Sequence, residues 1–231
     1  MSRQLRKIYE KVIIDQDLDQ RYIQAIQNND NAAIDIIKQC KARSGYRGQY
    51  FSGSLGDRGF VYKRAEQNGI WLSRDKQTAI EYATVGGNQT GKVNNLTIKM
   101  DNPLDMRELG IQNTQDNIRK FLLSRNINLP EIYYQEFQAE AEREEQDTWF
   151  CYAIIDGRDF KRDRQLAVAK IEASGFDGLI LKDTHYGSQS DSYVCFHSNQ
   201  VKLNKIATLD DSGVIIPATA RFDWNNPDIR Y

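Results

Sequence analysis

Cysteine is scarce: the chain has three in 231 residues, Cys40, Cys151 and Cys195. They are far apart, odd in number and never spaced as CxxC, so neither a disulfide framework nor a zinc site is expected. The two histidines, His185 and His197, cannot build a His-rich metal centre alone, and no metal is expected. Neither sign of charge is in excess. Lys and Arg number 31 and Asp and Glu 32, a formal net charge of −1. That balance excludes a dedicated, non-specific nucleic-acid binder, which is normally basic, and leaves a local basic patch open. No apolar run approaches the ~18 residues needed to cross a bilayer. The basic residues of Met1 to Lys7 are not followed by an apolar segment, so no secretory signal is expected. A reducing, cytoplasmic compartment is the default, and Asn88-Gln89-Thr90 and Asn95-Leu96-Thr97 then read as chance triplets. No internal repeat and no low-complexity tract is present.

What is present suffices for a core. Hydrophobic residues make up 40% of the chain, with nine Phe and twelve Tyr, which excludes a wholly disordered polypeptide. At roughly 150 residues per domain, the length fits one large domain or one domain with an extension. Residues 1–43 read as helices. Leu5, Ile8, Tyr9 and Val12 recur at helical spacing, Tyr22, Ile23 and Ile26 do so again, and Asp30 and Asn31 can cap a third helix carrying Ile34, Ile37 and Cys40. Tyr46 to Phe51 reads as a short strand, followed by a Gly-rich loop from Ser52 to Gly59. Ile70-Trp71-Leu72 is a compact strand, and Ser73 can cap a helix holding Ala79, Ile80 and Ala83. Val93 to Met100 contains an alternating strand pattern. From Thr114 to about Gly175 the pattern is helical, ending at Ser174-Gly175. Leu179 to Leu181 and Tyr193 to Phe196 are strands, and Gln200 to Ile206 is read as a neighbour of the latter. Asp210 to Tyr231 reads as a Pro/Asn/Asp-bearing tail with few core residues. Helices, strands, helices and strands in that order make an α+β pattern.

Three constellations carry candidate chemistry. In Tyr46-Arg47-Gly48 a fixed cation stands beside backbone that a ligand can approach closely, and the stretch 52–59 could cradle phosphates through backbone N–H groups. The plainer alternative is a surface arginine before a hairpin glycine. In Gly69-Ile70-Trp71-Leu72-Ser73 a strand delivers a hydroxyl at its end, and a helix presents Tyr82 two to three turns later. The plainer alternative is an N-cap serine and a half-buried core tyrosine. The third runs from Phe176-Asp177-Gly178-Leu179-Ile180 through a polar loop to Asp191-Ser192-Tyr193-Val194-Cys195-Phe196 and Gln200-Val201. Its plainer alternative is a hairpin with an ordinary polar turn.

Taken in this order, and spanning residues 45 to about 206 in pieces, the three resemble the ADP-ribosyltransferase fold. Tyr46-Arg47-Gly48 is similar to the first motif of the Arg-Ser-Glu toxin branch. Gly69-Ile70-Trp71-Leu72 before Tyr82, and Asp191 to Phe196 before Gln200-Val201, look like the His-Tyr-Glu branch of diphtheria toxin and the poly(ADP-ribose) polymerases. Gly175-Phe176-Asp177-Gly178, Tyr193-Val194-Cys195-Phe196 and the closing Asn226 to Tyr231 resemble the transferase-like domains of phage-borne polyvalent proteins. The resemblance implies an α+β, ADP-ribosyltransferase-like split β-sheet core at 44–209. It implies a helical insertion at about 114–174 as well, with residues 1–43 a helical extension and 210–231 a tail.

It also implies NAD+ as co-substrate. By analogy Arg47 would hold a phosphate or ribose, the Gly48 backbone the nicotinamide amide, and Tyr82 would stack on the nicotinamide ring. Ser73 would support the site, and Tyr46, Trp71, Ser192 and Gln200 would join the nucleotide-binding set. The family's carboxylate has no direct counterpart. One alignment puts Ser192 where Glu is expected. Another, matching a Gln-x-Glu turn to Gln189-Ser190-Asp191, makes Asp191 the functional carboxylate. A one-residue slip turns a strand residue to the other face unless a bulge intervenes.

The activity implied is mono-ADP-ribosylation of an acceptor, a protein in the first instance, with nucleic acid and small molecules as alternatives. A toxin, effector or phage setting would include delivery into a host cell without a signal peptide. Three other readings stand beside it: NAD+ hydrolysis, a catalytically inactive binding module of the same fold, and a nuclease using His185 and His197 as acid and base. The insertion reads as a solvated helix face or as a target-recognition element.

Overall fold

The computed structural model describes residues 3–43, 50–55, 69–84, 92–109, 115–131, 133–134, 164–182 and 191–231. The first two apolar stretches of the N-terminus merge into one helix, α1 (Arg3–Gln27), where two had been expected from their spacing. Asn29 takes a positive φ of 54° and breaks it, and the Asp30 carboxylate then accepts from the Ala32 amide at 2.9 Å at the start of α2 (Ala32–Arg43).

Among the described residues, seven strands form one hydrogen-bonded sheet. They are β1 (Tyr50–Leu55), β2 (Ile70–Ser73), β3 (Lys92–Ile98), β4 (Leu104–Asp105), β5 (Gly178–Lys182), β6 (Asp191–Cys195) and β7 (Val201–Leu203). Their order is β4-β5-β6-β2-β1-β3-β7. All described pairings are antiparallel except β4 with β5. The α+β class is as expected. Among the described residues, β1 and β2 are registered through one pair, Ser52 with Ser73.

Two strand assignments differ from the reading of the sequence. Ser52, Gly53 and Ser54, expected as a phosphate-cradling loop, lie within β1 and pair with Asn95, Asn94 and Val93 of β3. A full partner strand overrides the weak β-propensity of Gly and Ser. Positions 56–59 of the expected loop lie outside the described residues. The strand after Gln200 pairs with β3 rather than with β6, through Leu96–Leu203, Thr97–Lys202 and Ile98–Val201.

The helices of the expected insertion carry the crossover between two neighbouring parallel strands, a connection that such strands require. Helices α4 (Gln115–Ser124) and α5 (Arg164–Ala173) follow β4 and precede β5. Their Ile118, Phe121, Leu122, Ala167 and Ile171 pack with Leu104, Leu179, Leu181 and Val194 of the sheet and with Phe196 just after β6. Helix α5 ends in a Schellman motif. Gly175, at φ +90°, donates to Glu172 O at 2.8 Å, and Phe176 N donates to Ile171 O at 3.3 Å. A second core, on the other face, contains Ile70, Leu72, Leu96, Ile98, Tyr193, Cys195 and Val201. Gly178 must lack a side chain, because a Cβ there would fall 2.8 Å from the Val194 carbonyl oxygen.

The C-terminal segment contributes far more core than its composition suggested. Ile216, Ala218, Phe222 and Ile229 are buried. Ala218 and Phe222 close a third cluster with Leu18, Tyr22, Ala25, Ile36 and Cys40 of the first two helices. Polar residues fix this junction. The Arg221 guanidinium, itself buried, donates to the carbonyls of Leu203, Lys205 and Ile206 at 2.8–2.9 Å. The Tyr22 hydroxyl donates to Ile206 O at 2.6 Å. Asp19 accepts from the Thr219 amide and hydroxyl at 2.9 and 2.6 Å. Lys202, fully buried on β7, donates to Asn226 O and Asp228 O at 2.6 and 3.0 Å. Phe222 adopts φ 61°, a conformation that a bulky residue holds only when its surroundings enforce it.

Two outcomes follow for stability. Phe222→Ala should destabilise the protein by about 3–5 kcal/mol in urea unfolding, whereas a peripheral tail would leave the midpoint unchanged. Burial pushes the Lys202 ammonium down to about 8 from 10.5, with Asp223 and Asp228 opposing. Between these values the unfolded chain binds a proton that the native chain does not, so stability should rise with pH there. The stability of the wild type relative to Lys202→Met should therefore climb from pH 8 to pH 10, and a pH-independent difference would contradict it.

Candidate functional site

The third and second constellations meet at one end of the sheet. β2 and β6 run side by side, pairing Ile70 with Cys195, Trp71 with Val194, Leu72 with Tyr193 and Ser73 with Ser192. The register is continuous over these residues and through the β5–β6 pairs from Gly178–Cys195 to Lys182–Asp191. No bulge therefore lies within Asp191–Cys195. Alternate residues of a strand face opposite sides, and the two cores confirm the parity: Val194 and Phe196 enter one, Tyr193 and Cys195 the other. Ser73 and Ser192 thus form a cross-strand hydroxyl pair on one face, 4% and 5% exposed. Asp191 falls on the other face with Tyr193. As the first residue of its strand, Asp191 stands at the sheet end, and its carbonyl accepts from the Arg74 amide at 3.3 Å.

Ser73 does not cap the following helix, α3 (Lys76–Thr84). Its Oγ accepts from the Asp75 amide at 3.2 Å. Asp75 is the cap: its Oδ2 accepts from the Thr78 amide and hydroxyl at 2.6 and 2.9 Å. Those two bonds, the amide's first, hold the Asp75 carboxyl below its ordinary range. Helix α3 packs against β1, β3 and β2 and carries the backbone of Tyr82; the side chain of Tyr82 lies outside the described residues. Tyr46, Arg47 and Gly48 also lie outside them, as does His185.

Trp71 packs partly buried against the α4–α5 core, on the same face as Ser73 and Ser192. Gln200 is not with them. It sits beyond the opposite end of β6, where Nε2 donates to Asp177 O at 2.6 Å and Oε1 accepts from the His197 amide at 2.9 Å. The Asp177 carboxylate in turn accepts from the Asp101 and Asn102 amides at 2.6 and 3.0 Å. Gln200 and Asp177 thereby fasten the ends of β3, β5 and β6. His197, the other half of the acid–base pair of a nuclease reading, lies at that far end too, bonded through Nε2 to Glu172 of α5.

Beside Asp191 lies a charged cluster that no motif announced. Arg107, in the short 3-10 turn after β4, donates from Nε and Nη2 to the two Asp105 oxygens at 2.9 and 2.5 Å, and from Nη1 to Asp191 Oδ2 at 2.8 Å. The guanidinium bonds to Asp105 lower that carboxyl's pKa, and the same pairs, Asp105 first, raise that of Arg107. Burial chiefly, then the Asp191 charge, raises the Tyr193 phenol. The side chains of Asp105, Arg107 and Asp191 are 36%, 39% and 20% exposed. Ion pairs this open contribute only roughly 0–1 kcal/mol to stability. The one hint in the sequence was the Asp-x-Arg spacing after the apolar Leu104, which alone is too common to single out.

The model of one protein family, described as ADP-ribosyltransferase in polyvalent proteins, matches residues 46–206. No curated protein and no solved structure is matched. Among the described residues, no helix is long and apolar enough to cross a membrane.

Gln200→Ala should lower stability by roughly 1–3 kcal/mol, because it strands the Asp177 carbonyl and the His197 amide. It should leave the affinity for NAD+ unchanged in calorimetry. A loss of affinity without a loss of stability would return Gln200 to the ligand-binding set.

Proposed function

The chain belongs to the ADP-ribosyltransferases of polyvalent proteins, and we propose that it cleaves the nicotinamide–ribose bond of NAD+ and transfers a single ADP-ribose to an acceptor, a macromolecule in the first instance. The observation that carries this reading is the register of β2 with β6. It sets Ser73 and Arg74 beside Ser192 and Asp191, residues more than a hundred positions apart, at one end of the sheet.

Departure of nicotinamide as a neutral molecule needs no strong acid. It does need positive charge on the ribose to be stabilised as the bond breaks. Asp191 would accept hydrogen bonds from ribose hydroxyls and lie close to that developing charge. Being one methylene shorter than Glu, it would reach from the strand's first residue rather than from mid-strand. The Ser73 and Ser192 hydroxyls, buried on the opposite face with Trp71, would support the site from behind by holding the end of β2 against that of β6. Four residues of chain separate Arg47 from Ser52, which is registered against Ser73. In this reading Arg47 holds the pyrophosphate or a ribose, with Tyr46 and Gly48 beside it, and Tyr82 stacks on the nicotinamide. The protein would act in a cytoplasm, its own or that of a host cell.

The test is nicotinamide release from NAD+, with and without cell lysate, by wild type and by Arg47→Ala, Tyr82→Ala and Asp191→Asn. Label transfer that requires lysate, and losses of about 100-fold or more in each variant, are expected. Equal release without lysate or label transfer would assign hydrolysis instead. Neither release nor a thermal shift with NAD+ would assign a non-catalytic module.

A further inference from the structure

We propose that Arg107 is a positioning residue for Asp191 and that Asp105 is the counter-charge that makes this possible. The inference rests on the reading of Asp191 given above and adds to it the residues that aim the carboxylate. The backbone of Asp191 is held on both flanks, by Lys182 and by the Arg74 amide, but those bonds do not set its side chain. Arg107 supplies the missing restraint. Its Nη1 engages Oδ2 at 2.8 Å, which restrains that oxygen and leaves Oδ1 outside that contact.

A guanidinium in contact with Asp191 would, alone, cancel the negative charge that a ribosyl cation needs. Asp105 prevents this. It takes Nε and Nη2 of the same guanidinium and also accepts from the Arg107 amide at 3.0 Å. The three-residue unit therefore keeps a net charge of −1. The cation is also anchored independently of Asp191, since Asp105 and Arg107 lie on and just after β4, while Asp191 is on β6. Asp105 pairs with Ile180 and Ile180 with Tyr193, so the three strands fix the spacing of the unit. A lysine at position 107 could keep the charge but not the fork that serves two carboxylates at once.

A double-mutant cycle on nicotinamide release tests this, with Arg107→Gln, Asp191→Asn, the double variant and Arg107→Lys, each checked for an unchanged melting profile. Arg107→Gln should lower kcat about 10- to 100-fold with KM within about threefold. In the Asp191→Asn background the same substitution should change kcat by less than about twofold, because its effect passes through Asp191. Arg107→Lys should recover part of the loss. Asp105→Asn, which leaves Arg107 free to neutralise Asp191, should lower kcat as well. With an active wild type, an unchanged Arg107→Gln, or an equal loss in both backgrounds, would overturn the positioning role alone. A wild type that releases no nicotinamide would overturn the underlying reading and this role with it.

Discussion

The antiparallel register of β2 against β6 is the constraint on which the rest depends. It puts Ser73 opposite Ser192 and carries the Asp191 carbonyl to the Arg74 amide. Because side chains alternate along a strand, the same register decides which groups share a face: two buried hydroxyls on one side, a carboxylate and a phenol on the other. A slip of one residue would exchange Asp191 and Ser192 and drive Tyr193 and Val194 out of their respective cores. Two apolar clusters, one on each face, therefore penalise any other alignment. Gly178 adds a steric limit, since only a glycine lets β5 approach the Val194 carbonyl.

Among the described residues, the elements packed on its two faces hold this pairing in place. The α4–α5 crossover covers one face and returns the chain to β5 beside β4. Gln200 and Asp177 lock the far end, away from the candidate chemistry. The first two helices and the C-terminal segment build a separate core against the β7 edge, using buried Arg221 and Lys202 to satisfy backbone carbonyls. The stable groups thus sit away from the Ser73–Asp191 end. At that end lies a more open set of charges, paired with one another, which contributes little to folding.

Much of this was legible in the residues themselves. Ile70-Trp71-Leu72, Leu179-Ile180-Leu181 and Tyr193-Val194-Cys195-Phe196 are short apolar runs bounded by polar residues or Gly, and each is a strand or nearly so. Ser174-Gly175 stops a helix as written. Other features were hidden for physical reasons. Ser52-Gly53-Ser54 has loop composition and becomes a strand only because β3 supplies a complete partner. The pairing of β7 with β3 is a long-range choice that no local pattern encodes. The closing segment carries its apolar residues without period, and its most important anchors, Arg221 and Lys202, are types normally found at the surface. Arg107 and Asp105 belong to no motif and acquire meaning only when β4 is laid beside β5. The register also resolved what the residues had left open: Asp191 and Ser192 occupy opposite faces, with no bulge to merge their roles.

The most direct measurement is amide hydrogen exchange of the whole chain with and without NAD+. Slower exchange in two separate stretches, residues 70–76 and 190–194, together with any around Arg47 and Tyr82, would show one ligand touching both strands where they lie side by side, as expected. Protection centred on the Asp177–Gln200 end, or none in either stretch at saturating NAD+, would contradict a dinucleotide site built on that pairing.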